Sequence, residues 1–240
     1  MSHSTTEHSP GFQRRFRITP EPGRVCCEVE DDYHCMSVVL YHDGAFATKL
    51  EPQMRRVPWT TCPGAVAELQ ATFTGIALQE FASRGAKKTN CTHLHDLAIL
   101  AAKHAFDKTV LIIDISISDP VDGRRQASLY ANGRILMNWT EAEFSIVAPE
   151  DLAGLSLWDM QAWLQTLEPG QQEAARLLRW GNMLANGRII PLEDQSNAKR
   201  MPPNCYTFQP QRADVARRVG RIVDFSNGDE EPLARYQAFS

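Results

Sequence analysis

The chain has 240 residues, of which 25 are Lys or Arg and 29 are Asp or Glu, so its formal net charge is −4. Hydrophobic residues make up 43% and charged residues 22% of the sequence, ordinary proportions that exclude a disordered or fibrous chain. The slight negative charge argues against a nucleic-acid partner, because nucleic-acid-binding proteins normally carry a basic face. The apolar runs fall far short of the ~20 residues that span a bilayer, so we also expect no membrane contact.

The first half of the chain begins with strand patterns. Residues 1–14 are polar overall and are predicted to be a disordered N-terminus. Apolar residues alternate with polar or small ones over 24–30, and a further apolar stretch covers 33–41. The Asp43-Gly44 pair predicts a hairpin turn, because glycine readily adopts the positive φ of a tight turn. These elements predict an antiparallel meander.

A change of pattern follows at the two prolines Pro58 and Pro63, which end strands and favour a helix start. Residues 65–73 have helical spacing, and the best-defined helix is predicted over 93–107 with Thr92 as its N-cap. A second meander is predicted over 109–147, with hairpin turns at Asp122-Gly123 and Asn132-Gly133.

Beyond Pro149 the pattern becomes helical, with capping and C-terminal signals for helices over 156–167 and up to about 186. We therefore predict an α+β fold with two antiparallel β-meanders around a central helix and a C-terminal helical extension. The predicted domains are a body over 15–149 and an extension over 150–240 packed on that body.

Cofactor and compartment signals are few. The chain contains no glycine-rich phosphate loop, so nucleotide-driven chemistry is not expected and no cofactor is predicted. Six cysteines in a chain of this length are too few for a disulfide scaffold, and the N-terminus has no apolar signal-peptide region. We expect reduced thiols and a cytoplasmic location.

Two short segments carry a family resemblance. Residues 59–63 (Trp-Thr-Thr-Cys-Pro) and 90–97 (Asn-Cys-Thr-His-Leu-His-Asp-Leu) resemble a bacterial family catalogued as domain of unknown function 2889. Its members pair a Pro-x-x-Cys segment with a Cys-Thr-His-Leu-x-acid-Leu box that opens a helix after β-hairpins. The resemblance covers about residues 15–105, and Asp96 stands where many members have Glu. It implies a fold and a site, and no particular reaction.

The second box also has a chemical interpretation of its own. His93 and Asp96 lie three positions apart on one helix face, where a carboxylate can orient an imidazole for general acid/base catalysis. Cys91 precedes the helix, and the positive end of a helix lowers the pKa of a thiol. The structural alternative is that Thr92 caps the helix, Asp96 complements its dipole and His93 is a hydrogen-bonded core residue.

Other side chains could complete a site. Tyr206 is a candidate proton donor or, alternatively, a hydrophobic lid. Trp59, Cys62, Thr92 and Leu100 are the candidate substrate-binding residues, although a free cysteine such as Cys62 is usually a small core residue. No metal is predicted, because no ligand pair with zinc-like spacing occurs on one element.

Three functions are compatible with these residues. We expect a cofactor-independent lyase that uses His–Asp acid/base chemistry in the catabolism of an aromatic or hydrophobic small molecule. Its reaction would be a retro-aldol loss of a small aldehyde such as formaldehyde, or a dehydration. The alternatives are a metal- or thiol-dependent hydrolase and a non-catalytic interaction module, and a homodimer is left open.

Overall fold

The computed structural model of the chain describes residues 10–236. Its strands are β1 (Gly11–Glu21), β2 (Arg24–Asp31), β3 (Cys35–His42), β4 (Ala47–Arg56), β5 (Leu111–Ser118), β6 (Arg124–Ala131), β7 (Arg134–Ala142) and β8 (Ser145–Ala148). Its α-helices are α1 (Ala65–Phe73), α2 (Thr92–Lys103), α3 (Gln161–Leu164), α4 (Pro169–Ala185) and α5 (Pro210–Ala213). The strands form an antiparallel sheet in the order β4-β3-β2-β1-β5-β6-β7-β8, so the predicted α+β class is confirmed.

The chain divides into two compact units. The α2 unit comprises the described residues of 15–112, 192–223 and 233–236, and the α4 unit comprises those of 10–14, 113–191 and 224–232. This division differs from the predicted one, which placed a single boundary after residue 149. The difference arises because the units are assembled from segments that are distant in sequence, and local patterns do not reveal such pairings.

The α2 unit is built on strands β2 and β3, which are buried along almost their whole length. Val25 pairs with Leu40 and Cys27 with Val38 in the antiparallel register. The predicted hairpin at Asp43-Gly44 is present: the Asp43 carboxylate accepts from two backbone N–H groups, and Gly44 has a φ of +103°. α2 packs on β2 and β3, and α1 packs on β4.

Helix α2 differs slightly from its predicted bounds. Cys91 occupies the N-cap position, so the predicted cap Thr92 is the first helical residue. The helix ends at Lys103, because His104 leaves helical geometry at φ −97° and ψ 15°. The 104–107 segment then forms a turn in which His104 Nδ1 lies 2.7 Å from an Asp107 carboxylate oxygen.

The α4 unit contains most of β5, strands β6–β8 and helix α4. Asp122-Gly123 and Asn132-Gly133 form the predicted turns, with positive φ at all four residues. α4 packs on β6 and β7, and the Trp139 indole donates to Asn182 at 2.9 Å. The first helix predicted beyond Pro149 is short, since only Gln161–Leu164 is helical.

The N-terminal prediction is wrong for residues 11–14, which begin strand β1. Phe12 and Arg14 are buried, and Gln13 donates to the Ser116 hydroxyl at 3.0 Å. The strand forms because β5 supplies a partner that is distant in sequence. The rest of the predicted disordered segment, residues 1–9, lies outside the described residues.

In the described part of the chain, no helix combines the length and the apolar character needed to cross a membrane.

Candidate active site

The Cys-Thr-His box lies at the start of α2, where Cys91, Thr92, His93 and His95 are all buried. Burial raises the pKa of the Cys91 thiol to about 12, and this effect outweighs the hydrogen bonds from the first-turn N–H groups. The predicted activation of Cys91 by the helix start is therefore wrong, and the thiol stays protonated near neutral pH. Burial likewise raises the pKa of Cys62.

Asp96 has a different partner from the one predicted. Both of its carboxylate oxygens accept from the Lys87 ammonium group, at 2.6 and 2.8 Å. The neighbouring His95 has its Nε2 2.6 Å from the Gly85 carbonyl, and burial lowers its pKa. Asp96 is thus held in an ion pair on the partly exposed side of α2.

The carboxylate grouped with His93 is that of Asp31. Asp31, His34 and His93 are buried and place one nitrogen or oxygen atom each within 4.8 Å of one another. Asp31 ends β2, His34 immediately precedes β3, and His93 lies in the first turn of α2. The packing of α2 on β2 and β3 therefore assembles the cluster.

Asp31 organises the β2–β3 turn. Its Oδ1 accepts from the backbone N–H groups of Tyr33 and His34, both at 2.8 Å. The same oxygen lies 3.0 Å from His34 Nδ1. Because an ionised carboxylate only accepts, His34 Nδ1 carries the proton in this bond, and His34 Nε2 is left with the lone pair.

Arginine contacts hold this turn in place. The Arg56 guanidinium donates to the carbonyls of Asp31 and Asp32, at 2.7 and 2.6 Å. It also pairs with Glu30 at 2.9 Å, and Glu30 accepts from the Leu233 N–H at 2.7 Å. Arg56 therefore helps to hold the backbone of the turn that positions Asp31 and His34.

The two imidazoles of the cluster are stacked. The ring centroids of His34 and His93 are 3.9 Å apart, with an interplanar angle of 30°. Two neighbouring imidazoles beside a carboxylate can accept, hold and return a proton. The same three side chains also form a donor set of the kind that binds Zn²⁺ and other divalent metals.

The predicted substrate-binding residues fall into two groups. Trp59 and Cys62 lie in a cluster with Ala198, Ala213 and Ala216, and the Cys62 sulfur is 3.4 Å from the Thr207 hydroxyl. Thr92 and Leu100 are buried along α2.

Tyr206 is brought to the beginning of the Cys-Thr-His box. Its backbone N–H donates to the Asn90 carbonyl at 2.8 Å, and its ring lies 3.7 Å from the Arg212 guanidinium carbon. Its hydroxyl lies close to Gly64, where an added Cβ would come within 2.5 Å of it. These contacts give Tyr206 a packing role and leave its predicted role as a proton donor a proposal.

Sequence reasoning missed Asp31 and His34. The available signal was an Asp and a His three positions apart in a polar turn, Glu30-Asp-Asp-Tyr-His34, between two predicted strands. Such a turn is ordinary in itself. Only the packing of α2 shows that it faces His93.

Comparison of the chain with protein-family models and with curated proteins found no match. The resemblance to domain of unknown function 2889 therefore stays a prediction.

Proposed function

We propose that this chain is a cofactor-independent small-molecule lyase whose acid/base group is the Asp31–His34–His93 cluster. The observation that carries the proposal is the 3.0 Å contact between Asp31 and His34 Nδ1, in a carboxylate already held by two backbone N–H groups. This arrangement orients an imidazole for general acid/base catalysis. Asp31 takes the role that the sequence suggested for Asp96, because Asp96 is bound by Lys87.

The chemistry of this site needs only proton transfers. In a retro-aldol step, His34 Nε2 removes the proton of a substrate hydroxyl group, and the adjacent C–C bond breaks to release a small aldehyde. The electron pair of that bond passes to a carbon stabilised by the aromatic part of the substrate, and this carbon is then protonated. His93, stacked on His34, is the second group that carries a proton, and a dehydration would use the same two groups.

The broader proposal keeps several sequence-based expectations. It includes membership of the family of domain of unknown function 2889, an aromatic catabolite as substrate, a cytoplasmic location and, as an open point, a homodimer. It also keeps two meanders around a central helix as the frame of the site. The packing of α2 on β2 and β3 supports α2 as that helix.

Aldehyde release from a panel of aromatic compounds with hydroxymethyl side chains, measured by a colorimetric formaldehyde assay, tests the proposal. His34→Gln and Asp31→Asn should each lower turnover per folded molecule by about 100-fold or more, and the double variant should be little worse. His93→Gln should also be strongly impaired.

The controls separate this site from the one predicted by sequence spacing. Asp96→Asn should leave turnover within about threefold of the wild type if Asp96 is only an ion-pair partner of Lys87. His104→Gln, at the other end of α2, should behave in the same way. Full activity of folded His34→Gln, or a complete loss in Asp96→Asn alone, would contradict the proposal.

A metal-dependent hydrolase is the second candidate, and the donor set of Asp31, His34 and His93 favours it. These three side chains would hold such an ion, because each places one nitrogen or oxygen atom within 4.8 Å of the others. Elemental analysis of the purified protein and of His34→Gln distinguishes the candidates. One equivalent of zinc or iron that is lost in the variant supports the metal enzyme, whereas full turnover of metal-free protein supports the lyase.

A further inference from the structure

A half-buried arginine, Arg218, lies beside the cluster, and the described part of the chain gives it no acidic partner. Burial lowers the pKa of Arg218, and the smaller effects of Tyr33 and Cys62 raise it. Among residues 10–236, no carboxylate lies within ion-pair distance of its guanidinium group. The contrast with Arg17, Arg56, Arg125 and Arg188 is clear, since each of these pairs with a Glu or Asp.

Burying an arginine side chain without a bound anion costs free energy. Half-buried guanidinium groups normally pair with carboxylates or phosphates, because desolvation weakens the hydration of the charge. The net charge of the chain is −4, so acidic side chains are plentiful elsewhere. Nothing in the described chain fills this role for Arg218.

The position of Arg218 is fixed by its backbone. Arg218 and Trp59 form an antiparallel bridge, and the Val219 N–H donates to the Pro58 carbonyl at 2.9 Å. The guanidinium carbon lies 5.6 Å from the Trp59 ring centroid and 6.0 Å from that of Tyr33. Two aromatic rings therefore flank the charge, which is a preorganised arrangement for a planar anion.

This charge adjoins the proposed catalytic cluster. The rings of Tyr33 and His34 are in edge contact, with centroids 6.2 Å apart. The positive charge of Arg218 lowers the pKa of the Cys62 thiol and so opposes the larger effect of burial. Cys62 and Trp59 were predicted substrate-binding residues. Arg218, Tyr33 and His34 thus form one continuous set of contacts within the α2 unit.

We propose that Arg218 binds the carboxylate of the substrate in a subsite flanked by Trp59 and Tyr33, so that the substrate is an aromatic carboxylic acid. The guanidinium fork binds both carboxylate oxygens, while the buried rings of Trp59 and Tyr33 hold the guanidinium group in place. The inference rests on the proposed function for the position of the chemistry, and it adds the class of substrate.

Calorimetric titration with benzoate and trans-cinnamate, compared with benzamide and cinnamamide, tests this subsite without any need for turnover. The wild type should bind each carboxylate at least about tenfold more tightly than its amide, as expected for a charge-assisted pair. Arg218→Gln should abolish this preference. Arg218→Lys keeps the charge but not the fork, and it should retain a weaker preference.

Arg217→Gln is the matched control, because Arg217 is the exposed neighbour and its guanidinium group donates to the backbone carbonyls of Asp214 and Ala216. It should bind the carboxylates like the wild type. Urea unfolding of each variant confirms that it is folded, and Arg218→Lys decides the question if Arg218→Gln does not fold. Equal binding of acids and amides by the wild type, no measurable binding of either carboxylate, or an unchanged preference in folded Arg218 variants would overturn the inference.

One further variant separates this inference from the proposed function. His34→Gln should bind trans-cinnamate like the wild type while losing turnover. If the wild type binds acids and amides equally well, that result counts against the Arg218 subsite alone. Retained turnover in His34→Gln counts against the catalytic cluster alone.

Discussion

Asp31 is the residue on which the candidate site depends. A carboxylate that accepts from two backbone N–H groups and one imidazole is held in a single orientation. The fixed charge then determines which nitrogen of His34 carries a proton, and this choice leaves the other nitrogen available for a substrate.

The first prediction concerns Cys91. An exposed thiol with a pKa of about 8.5 is roughly one-tenth thiolate at pH 7.5. Burial raises the pKa of Cys91 to about 12, so its thiolate fraction falls below about one in ten thousand. Iodoacetamide should therefore label Cys91 very slowly in native protein at pH 7.5, and faster as the pH rises, as measured by peptide mass spectrometry.

Labelling in denaturant is the control for this prediction. All six cysteines lie in the described part of the chain and none forms a disulfide. All six should therefore react without prior reduction once the chain is unfolded. Rapid native labelling of Cys91 at pH 7.5 would contradict the burial argument and would restore the thiol-dependent hydrolase.

The residues of the site differ in how far the sequence could predict them. His93 belongs to a recognisable box at a helix start, so local spacing identified it. Its carboxylate could not be predicted in the same way, because Asp96 has the better helical spacing whereas Asp31 arrives from the β2–β3 turn. Arg218 is still more distant, since one of several arginines near the C-terminus gives no local signal that its backbone pairs with Trp59.

At the scale of elements, α4 contains two glycines in contrasting surroundings. Gly181 is buried, and a Cβ added there would come within 2.7 Å of Ile115 Cγ2 on β5. Gly170 is exposed in the first turn, and an added Cβ would meet nothing within 4 Å. A glycine-to-alanine substitution should therefore lower the free energy of unfolding at Gly181 but not at Gly170.

We predict that Gly181→Ala lowers the free energy of unfolding by about 1–3 kcal/mol, because Ile115 or the helix must shift. Gly170→Ala should be neutral or raise it by up to about 1 kcal/mol, because alanine is the better helix former. Urea unfolding followed by circular dichroism measures both. A loss of stability in Gly170→Ala equal to that in Gly181→Ala would show that the close approach to β5 is not the cause.

Elements with strong local signals were predicted well. The hairpins at Asp122-Gly123 and Asn132-Gly133 are examples, since all four residues have positive φ and these residue pairs favour that conformation. The helix predicted from residue 156 was mostly wrong, because Ser156 bridges to Ser145 beside β8 and its hydroxyl caps a local turn. A capping pattern can serve a turn as well as a helix.

At the scale of the whole molecule, the chain passes repeatedly between its two units. Residues 192–223 return to the α2 unit after α4 has been completed. They supply Ala198, Ala213 and Ala216 to the cluster around Trp59 and Cys62. No local pattern shows such a return, which is why the sequence suggested a body that was complete by residue 149.

The last prediction follows from this return. A fragment of residues 1–149 corresponds to the predicted body, but it lacks the segment that buries Trp59, which is only 3% exposed in the full chain. It also lacks the 210–223 backbone that pairs with residues 58–60, and burial of a tryptophan is worth several kcal/mol, about 3–5 on truncation. The fragment should therefore show red-shifted tryptophan fluorescence, strong binding of a hydrophobic dye and no cooperative urea transition. The full chain under the same conditions is the control. A soluble 1–149 fragment that unfolds cooperatively with native-like tryptophan emission would show that the body is complete without the return, and it would restore the boundary after residue 149.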